Sequence, residues 1–201
     1  MAKGWGLNMS ILENIFFQIL FILTHGYQYF ILFSEKLVQY LDQNDKRIFK
    51  QFFKNFMIND VKITELKIIS DARGKVMHML RNDNKIFEKF GEVYFSTIYH
   101  GAIKGWHLHK ESALNYACVK GKVKLVLFDD RKDSSSKNQY QEFILSPENY
   151  FLVTIPPNIW NGFKGMDQSE SIIANCLTLP HNEKEMLRKD PFDKFFNYKW
   201  D

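Results

Sequence analysis

Gly101-Ala-Ile-Lys-Gly-Trp-His107-Leu-His109-Lys110 is the stretch on which the reading of this chain turns. Side chains alternate between faces along a strand, so His107 and His109 project from the same side. On an outer face the pair is merely solvated. On the inner face of a closed sheet it points into a barrel mouth, where ligand sites form.

The flanking sequence favours the second case. From residue 57 onward, short β-branched and aromatic runs recur between turn signals, and each reads as a strand: Val61 to Ile69, Glu92 to His100, Leu114 to Val119, Val123 to Asp129, Gln141 to Leu145, Tyr150 to Ile155 and Ser171 to Leu177. Turn residues separate them at Asp71-Ala72-Arg73-Gly74, Lys120-Gly121-Lys122, Lys132 to Asn138, Ser146-Pro147-Glu148-Asn149 and Pro156-Pro157-Asn158. With no crossover helices between them, such strands predict a mostly β domain over 57–201, an antiparallel barrel or double-sheet jelly roll. The polar stretch His181 to Asp190 has helix-like composition and ends at Pro191.

Residues 1–56 differ in texture. Ile11-Leu12, Ile15-Phe16, Ile19-Leu20 and Leu23 repeat at helical spacing before His25-Gly26 interrupts, and Asp45 to Phe56 alternates basic with aromatic residues. This predicts an aromatic-rich helical extension that packs on the domain or on a partner subunit, or lies on a membrane surface. Its apolar run, Ile15 to Thr24, is too short to span a bilayer, and Glu13 and Asn14 stand where a signal peptide needs basic residues. An extension without a role is also compatible, because Met57 would make a natural start for the β domain.

The 201 residues carry 27 Lys+Arg against 23 Asp+Glu, and the basic residues are dispersed, which argues against a nucleic-acid partner and leaves an anionic small molecule compatible. Cys118 and Cys176 are far apart with no Cys-x-x-Cys, so they read as buried thiols of a reducing cytoplasm rather than a disulfide or zinc site.

Around the histidine pair, the spacing resembles the first motif of the cupin superfamily, with Gly101, His107, His109 and Gly121 in register and Leu114 or Ala113 where that motif has Glu. The second cupin motif is matched at Pro156, with Asn158 in place of Gly and Asn161 in place of the last His ligand. Two of four ligands are retained, a poor shell for a divalent transition metal, so neither metal nor cofactor is expected. The fold this implies is a cupin jelly roll, or double-stranded β-helix, with the N-terminal helical extension appended.

A longer collinear resemblance is to the dTDP-4-dehydrorhamnose 3,5-epimerase family. It rests on Asp71-Ala-Arg73-Gly74, Lys104-Gly105-Trp106-His107, Gly121-Lys-Val123 through Asp129-Asp130-Arg131, Ile155-Pro156 with Asn161-Gly162-Phe163, and Asp190-Pro191 with Trp200. Residues 107–110 and 155–160 are also similar to sugar 3,4-ketoisomerases. The resemblance implies a homodimeric isomerase, either an epimerase or a ketoisomerase, acting on a nucleotide-linked 4-keto sugar in surface-polysaccharide synthesis. A 4-keto group acidifies the neighbouring C–H bonds, and imidazole is suited to removing such a proton near neutral pH.

Carried over by residue, His107 is the base, Asp190 its orienting carboxylate, His109 a second acid/base and Lys104 the cation near the developing enolate. Arg73 and Arg131 are candidates for holding a diphosphate. Trp106 and Trp160 are candidates for stacking on sugar or base. Tyr116 and Asn161 complete the expected substrate contacts, and Tyr116 is also the candidate to substitute, from a neighbouring strand, for the family's proton-donating tyrosine.

Departures from the epimerase pattern are equally informative. Its second His is Asn161, its strand lysine is Leu114, and its proton-donating tyrosine falls near Ala174 or Asn175. A sugar- or nucleotide-binding cupin without turnover is therefore the competing expectation, followed by a metal-dependent cupin with an unusual shell.

Overall fold

The computed structural model describes residues 57–201; the helical extension expected over 1–56 lies outside them. The described residues form twelve strands: β1 (Lys62–Glu65), β2 (Ile68–Asp71), β3 (Gly74–Met77), β4 (Glu92–Ile98), β5 (Ile103–His109), β6 (Leu114–Lys120), β7 (Val123–Phe128), β8 (Tyr140–Leu145), β9 (Phe151–Ile155), β10 (Trp160–Gly165), β11 (Ser171–Leu177) and β12 (Met186–Arg188). Two five-stranded antiparallel sheets have the orders β1-β9-β6-β11-β4 and β12-β5-β10-β7-β8, and β2-β3 is a separate hairpin. From β4 to β12 the chain changes sheet at every connection except β7–β8, which makes the jelly roll expected from the sequence.

The boundaries differ from expectation where tertiary contacts intervene. The single strand expected over Val61 to Ile69 is divided, because Leu66 leaves the sheet edge and packs with Ile68, Met77 and Met79 over Ala117, Tyr150 and Leu152. The helix-like tail is a short 3-10 turn, Glu183–Glu185, followed by β12. Here β12 covers the edge of β5, pairing Met186 with His109 and Arg188 with His107, and so supplies the backbone partners that an edge strand lacks. β10 passes through Asn161-Gly162 in regular register with β7 and with a register shift against β5.

Gly121, in the turn from β6 to β7, has a φ of +72°, and a Cβ there would lie 2.4 Å from Ser171 Oγ. A side chain is excluded on both counts. Cys118 and Cys176 are buried free thiols, as expected.

One face of the second sheet is sealed by the C-terminal tail. Trp106, Leu108, Val126, Phe128 and Trp160 form an apolar cluster with Phe196 and Trp200. Trp106 is wholly buried, stacks on Phe196 at 4.3 Å between ring centroids, and donates its indole N–H to Pro191 O. Trp200 donates to the same carbonyl at 3.0 Å. Trp106→Ala is expected to lower the unfolding free energy by about 3–5 kcal/mol, the usual cost of deleting a buried aromatic side chain, measured by urea denaturation.

Candidate active site

The opposite face of β5 lines a cleft of about 390 Å³ between the two sheets. Its walls carry Glu92, Tyr94 and Ser96 from β4, Lys104, His107 and His109 from β5, Tyr116 from β6 and Arg188 from β12. His107 and His109 share this face by the alternation read from the sequence, because Trp106 and Leu108 are committed to the other.

Lys104 should, by the same alternation, point away from His107. The pairing with β10 shows why it does not: Asn161 is opposite His107, but Phe163, only two residues on, is opposite Lys104. Three steps on β5 therefore match two on β10, and this bulge turns Lys104 into the cleft. Gly105 and Gly162 meet at the bulge, where a Cβ on Gly105 would stand 2.9 Å from Gly162 Cα. Lys104 Nζ lies 3.5 Å from Ser96 Oγ across the cleft.

The two histidines have different surroundings. His107 is depressed from its ordinary 6.5 to about 4, first by burial, then by the positive field of Arg188, by His109 and by Lys104. Its imidazole is therefore neutral at physiological pH. His109 is buried and its Nδ1 meets Glu185 Oε1 at 2.5 Å. Glu185 Oε2 also accepts the backbone N–H groups of Lys110 and Glu111. Burial raises the pKa of Glu185, but the bonds from His109 and the Glu111 amide outweigh it and leave the carboxyl below its ordinary value.

Behind the histidines, Asn161 is fully buried, donates from Nδ2 to His107 O at 3.1 Å and accepts the Tyr116 hydroxyl at 3.3 Å. Asn158 takes the left-handed φ of +64° where the cupin motif has Gly, a conformation Asn tolerates, and its N–H bonds to His109 O at 2.7 Å. The proline turn thus fastens the end of β5.

Of the residues singled out in the sequence, Lys104, His107, His109 and Tyr116 line the cleft, with Asn161 directly beneath. Five others lie elsewhere. Asp190 is not brought to His107; it is exposed and its Oδ1 accepts the Phe192 N–H, closing the turn after β12. Trp106 and Trp160 are core rings, the latter donating its indole N–H to Asp130, because both sit on the sealed face.

Arg73 pairs with Asp71 in the exposed β2–β3 turn. Arg131 clips a loop, bonding Asp129 and Asn59 O while pairing with Asp60. Although burial opposes it, bonds from Arg131, Ser134 and Ser136 bring Asp129 down to about 2, as expected of a structural carboxylate.

Sequence reasoning missed Glu185, Arg188 and Tyr94. The first two lie in a segment read as helix-like. Tyr94 had one usable signal: it occupies an alternating strand whose outward neighbours, Val93 and Phe95, are apolar. Among the described residues no group of three or more His, Cys, Asp or Glu side chains could hold a metal ion, and no helix is long and apolar enough to cross a membrane.

A jelly roll with two histidines of one strand directed into the space between its sheets defines a cupin. Within that class the chain belongs to the dTDP-4-dehydrorhamnose 3,5-epimerase family, which matches residues 55–200. It is 31% identical over 123 residues to the probable low-salt glycan biosynthesis epimerase Agl13 of Haloferax volcanii, covering 60% of this chain and 79% of that protein. To the spore coat polysaccharide biosynthesis protein SpsL of Bacillus subtilis it is 29% identical over 126 residues, covering 63% and 83%. The crystal structure of a dTDP sugar isomerase from Desulfovibrio desulfuricans G20 superposes with a TM-score of 0.70 at 33% identity, covering 71% of this chain and 92% of that one.

The His107 environment links pH to stability. Below pH 6.5 the unfolded chain gains a proton on this side chain that the folded chain refuses until about pH 4, so stability falls across that interval. His107→Gln is expected to flatten this part of a Tm-versus-pH profile.

Proposed function

We propose that this chain is an epimerase of a nucleotide-linked 4-keto sugar in surface-polysaccharide synthesis, working by enolisation without a metal or cofactor. The observation that carries the reading is the neutral imidazole of His107 beside the Lys104 ammonium in one cleft. His107 removes the proton on C3 or C5, the bonding pair moves to the C4 oxygen, and Lys104 stabilises the resulting enolate. Arg188 adds positive charge for the diphosphate. An anion bound there offsets the positive field of Arg188 and Lys104, which is the smaller part of the His107 depression after burial. The ligand positions of metal cupins filled by Leu114 and Asn161 offer no charged donor, which fits a proton-transfer site better than a metal shell.

The glycan-biosynthesis names of Agl13 and SpsL support the pathway class. A solved relative from Legionella pneumophila, 24% identical with a TM-score of 0.65, was crystallised with dTDP-4-keto-L-rhamnose and supports the fold.

One observation favours a second assignment of the base. Glu185 holds His109 Nδ1 and leaves Nε2 as its free nitrogen, the arrangement of a carboxylate-oriented general base. Proton NMR with a dTDP-4-keto-6-deoxyhexose in deuterated buffer separates the two. Wild type is expected to exchange at C3 or C5, and His107→Ala to lose at least about 100-fold of that rate while His109→Ala loses less. The reverse order makes His109 the base, and no exchange with wild type favours a binding protein.

A homodimer in the cytoplasm belongs to the same proposal. Its support is β4, an edge strand whose Val93 and Phe95 are 50% and 65% exposed on the side away from the cleft. Light scattering of the full chain is expected to give about twice 23.9 kDa. Residues 1–56, with their basic amphipathic stretch, are proposed to touch anionic membrane surfaces, which co-sedimentation of the full chain with phosphatidylglycerol vesicles tests.

A further inference from the structure

Inversion at a carbon needs two groups on opposite sides of it: a base that takes the proton from one face and an acid that returns one to the other. His107 and His109 stand on β5, in the second sheet, while a third histidine of the lining, His181, comes from the segment after β11. A group facing the β5 histidines comes from the first sheet, which sends two tyrosines to the cleft, Tyr94 on β4 and Tyr116 on β6, beside the carboxyl of Glu92. The late-strand positions expected for a proton-donating tyrosine are Ala174, which has no proton to give, and Asn175, which is fully buried.

Hydrogen bonding distinguishes the two tyrosines. Tyr116 is buried and its hydroxyl donates to Asn161 Oδ1, so its proton is committed to the protein. Tyr94 is 38% exposed, and its oxygen sits on the accepting end of a fixed bond. Asn115 N–H donates to Asn175 Oδ1 at 3.2 Å, which sets the orientation of the Asn175 amide. Its Nδ2 then donates to Tyr94 Oη at 2.9 Å. This bond occupies a lone pair of Tyr94, whose hydroxyl lies beside that of Tyr116 on the lining of the cleft. The same amide dipole stabilises the phenolate that remains once the Tyr94 proton has gone.

We infer that Tyr94 is the catalytic acid that protonates the enolate on the face opposite the β5 histidines, with Asn175 as its positioning residue. The inference rests on the enolisation reading above. Tyr94 Oη–H breaks and a new C–H bond forms at C3 or C5, using the electron pair of the enolate, whose C4 oxygen returns to the ketone. The phenolate then takes a proton from solvent and the histidinium releases one, which restores both groups. Asn175 and Tyr94 are directly paired across β11 and β4, so the acid has moved one strand outward from its expected place.

The test compares two rates in full-length protein with dTDP-4-keto-6-deoxyglucose in deuterated buffer: solvent exchange at C3 and C5, and formation of inverted product. Tyr94→Phe is expected to keep exchange, because the histidine still removes and returns hydrogen on its own face, while inversion falls at least about 100-fold. Retained exchange also shows that the variant is folded. Tyr116→Phe is expected to change both rates in parallel, leaving their ratio at the wild-type value. Inversion by Tyr94→Phe at the wild-type ratio overturns the assignment, as does selective loss of inversion in Tyr116→Phe. Absence of exchange in wild type overturns the enolisation reading itself, a separate failure from exchange that proceeds to inversion without Tyr94.

Discussion

The site depends on burying one face of β5. Trp106 and Leu108 are drawn into the aromatic cluster beneath the C-terminal tail, and in a strand this forces His107 and His109 to the other face. A one-residue slip would exchange the two sets, placing indole in the cleft and imidazole in the core. The tail rings Phe196 and Trp200 therefore hold the register of the histidines without touching the cleft. The bulge opposite Gly162 then breaks the alternation once, and this break brings Lys104 to the side of His107.

Two imidazoles a single residue apart are thereby given different chemistry. His107 sits among cations with its basicity suppressed, whereas His109 is tied to a carboxylate that is itself held by two backbone amides. Environment separates their roles, as it does for paired acid and base groups generally. The 3-10 turn and β12 are central to this division, since Glu185 and Arg188 come from that short segment and reach different histidines.

Much of the fold was legible because it is written in local patterns. Runs such as Val123 to Phe128 and Ser171 to Leu177 are rich in β-branched and aromatic residues and bounded by turn residues, and they are strands in the structure. β12 was not legible: Glu-Lys-Glu-Met-Leu-Arg carries no strand signal, and it is extended only because β5 offers an open edge. The same holds for Trp106 and Trp160. Their composition fits a stacking platform as well as a core, and only the tail packed over them decides between the two.

The sequence by itself determined the jelly roll, the shared face of His107 and His109, and the family, because alternation and collinear motifs survive translation into any β-sandwich of this topology. Tertiary structure alone decided which charges surround those histidines. Asp190, in sequence the natural partner of His107, closes a turn, while Glu185 takes a buried place beside His109. Hydrogen bonds and electrostatic fields depend on distances across sheets, and residues separated by 76 positions, as His109 and Glu185 are, carry no local sign of their approach.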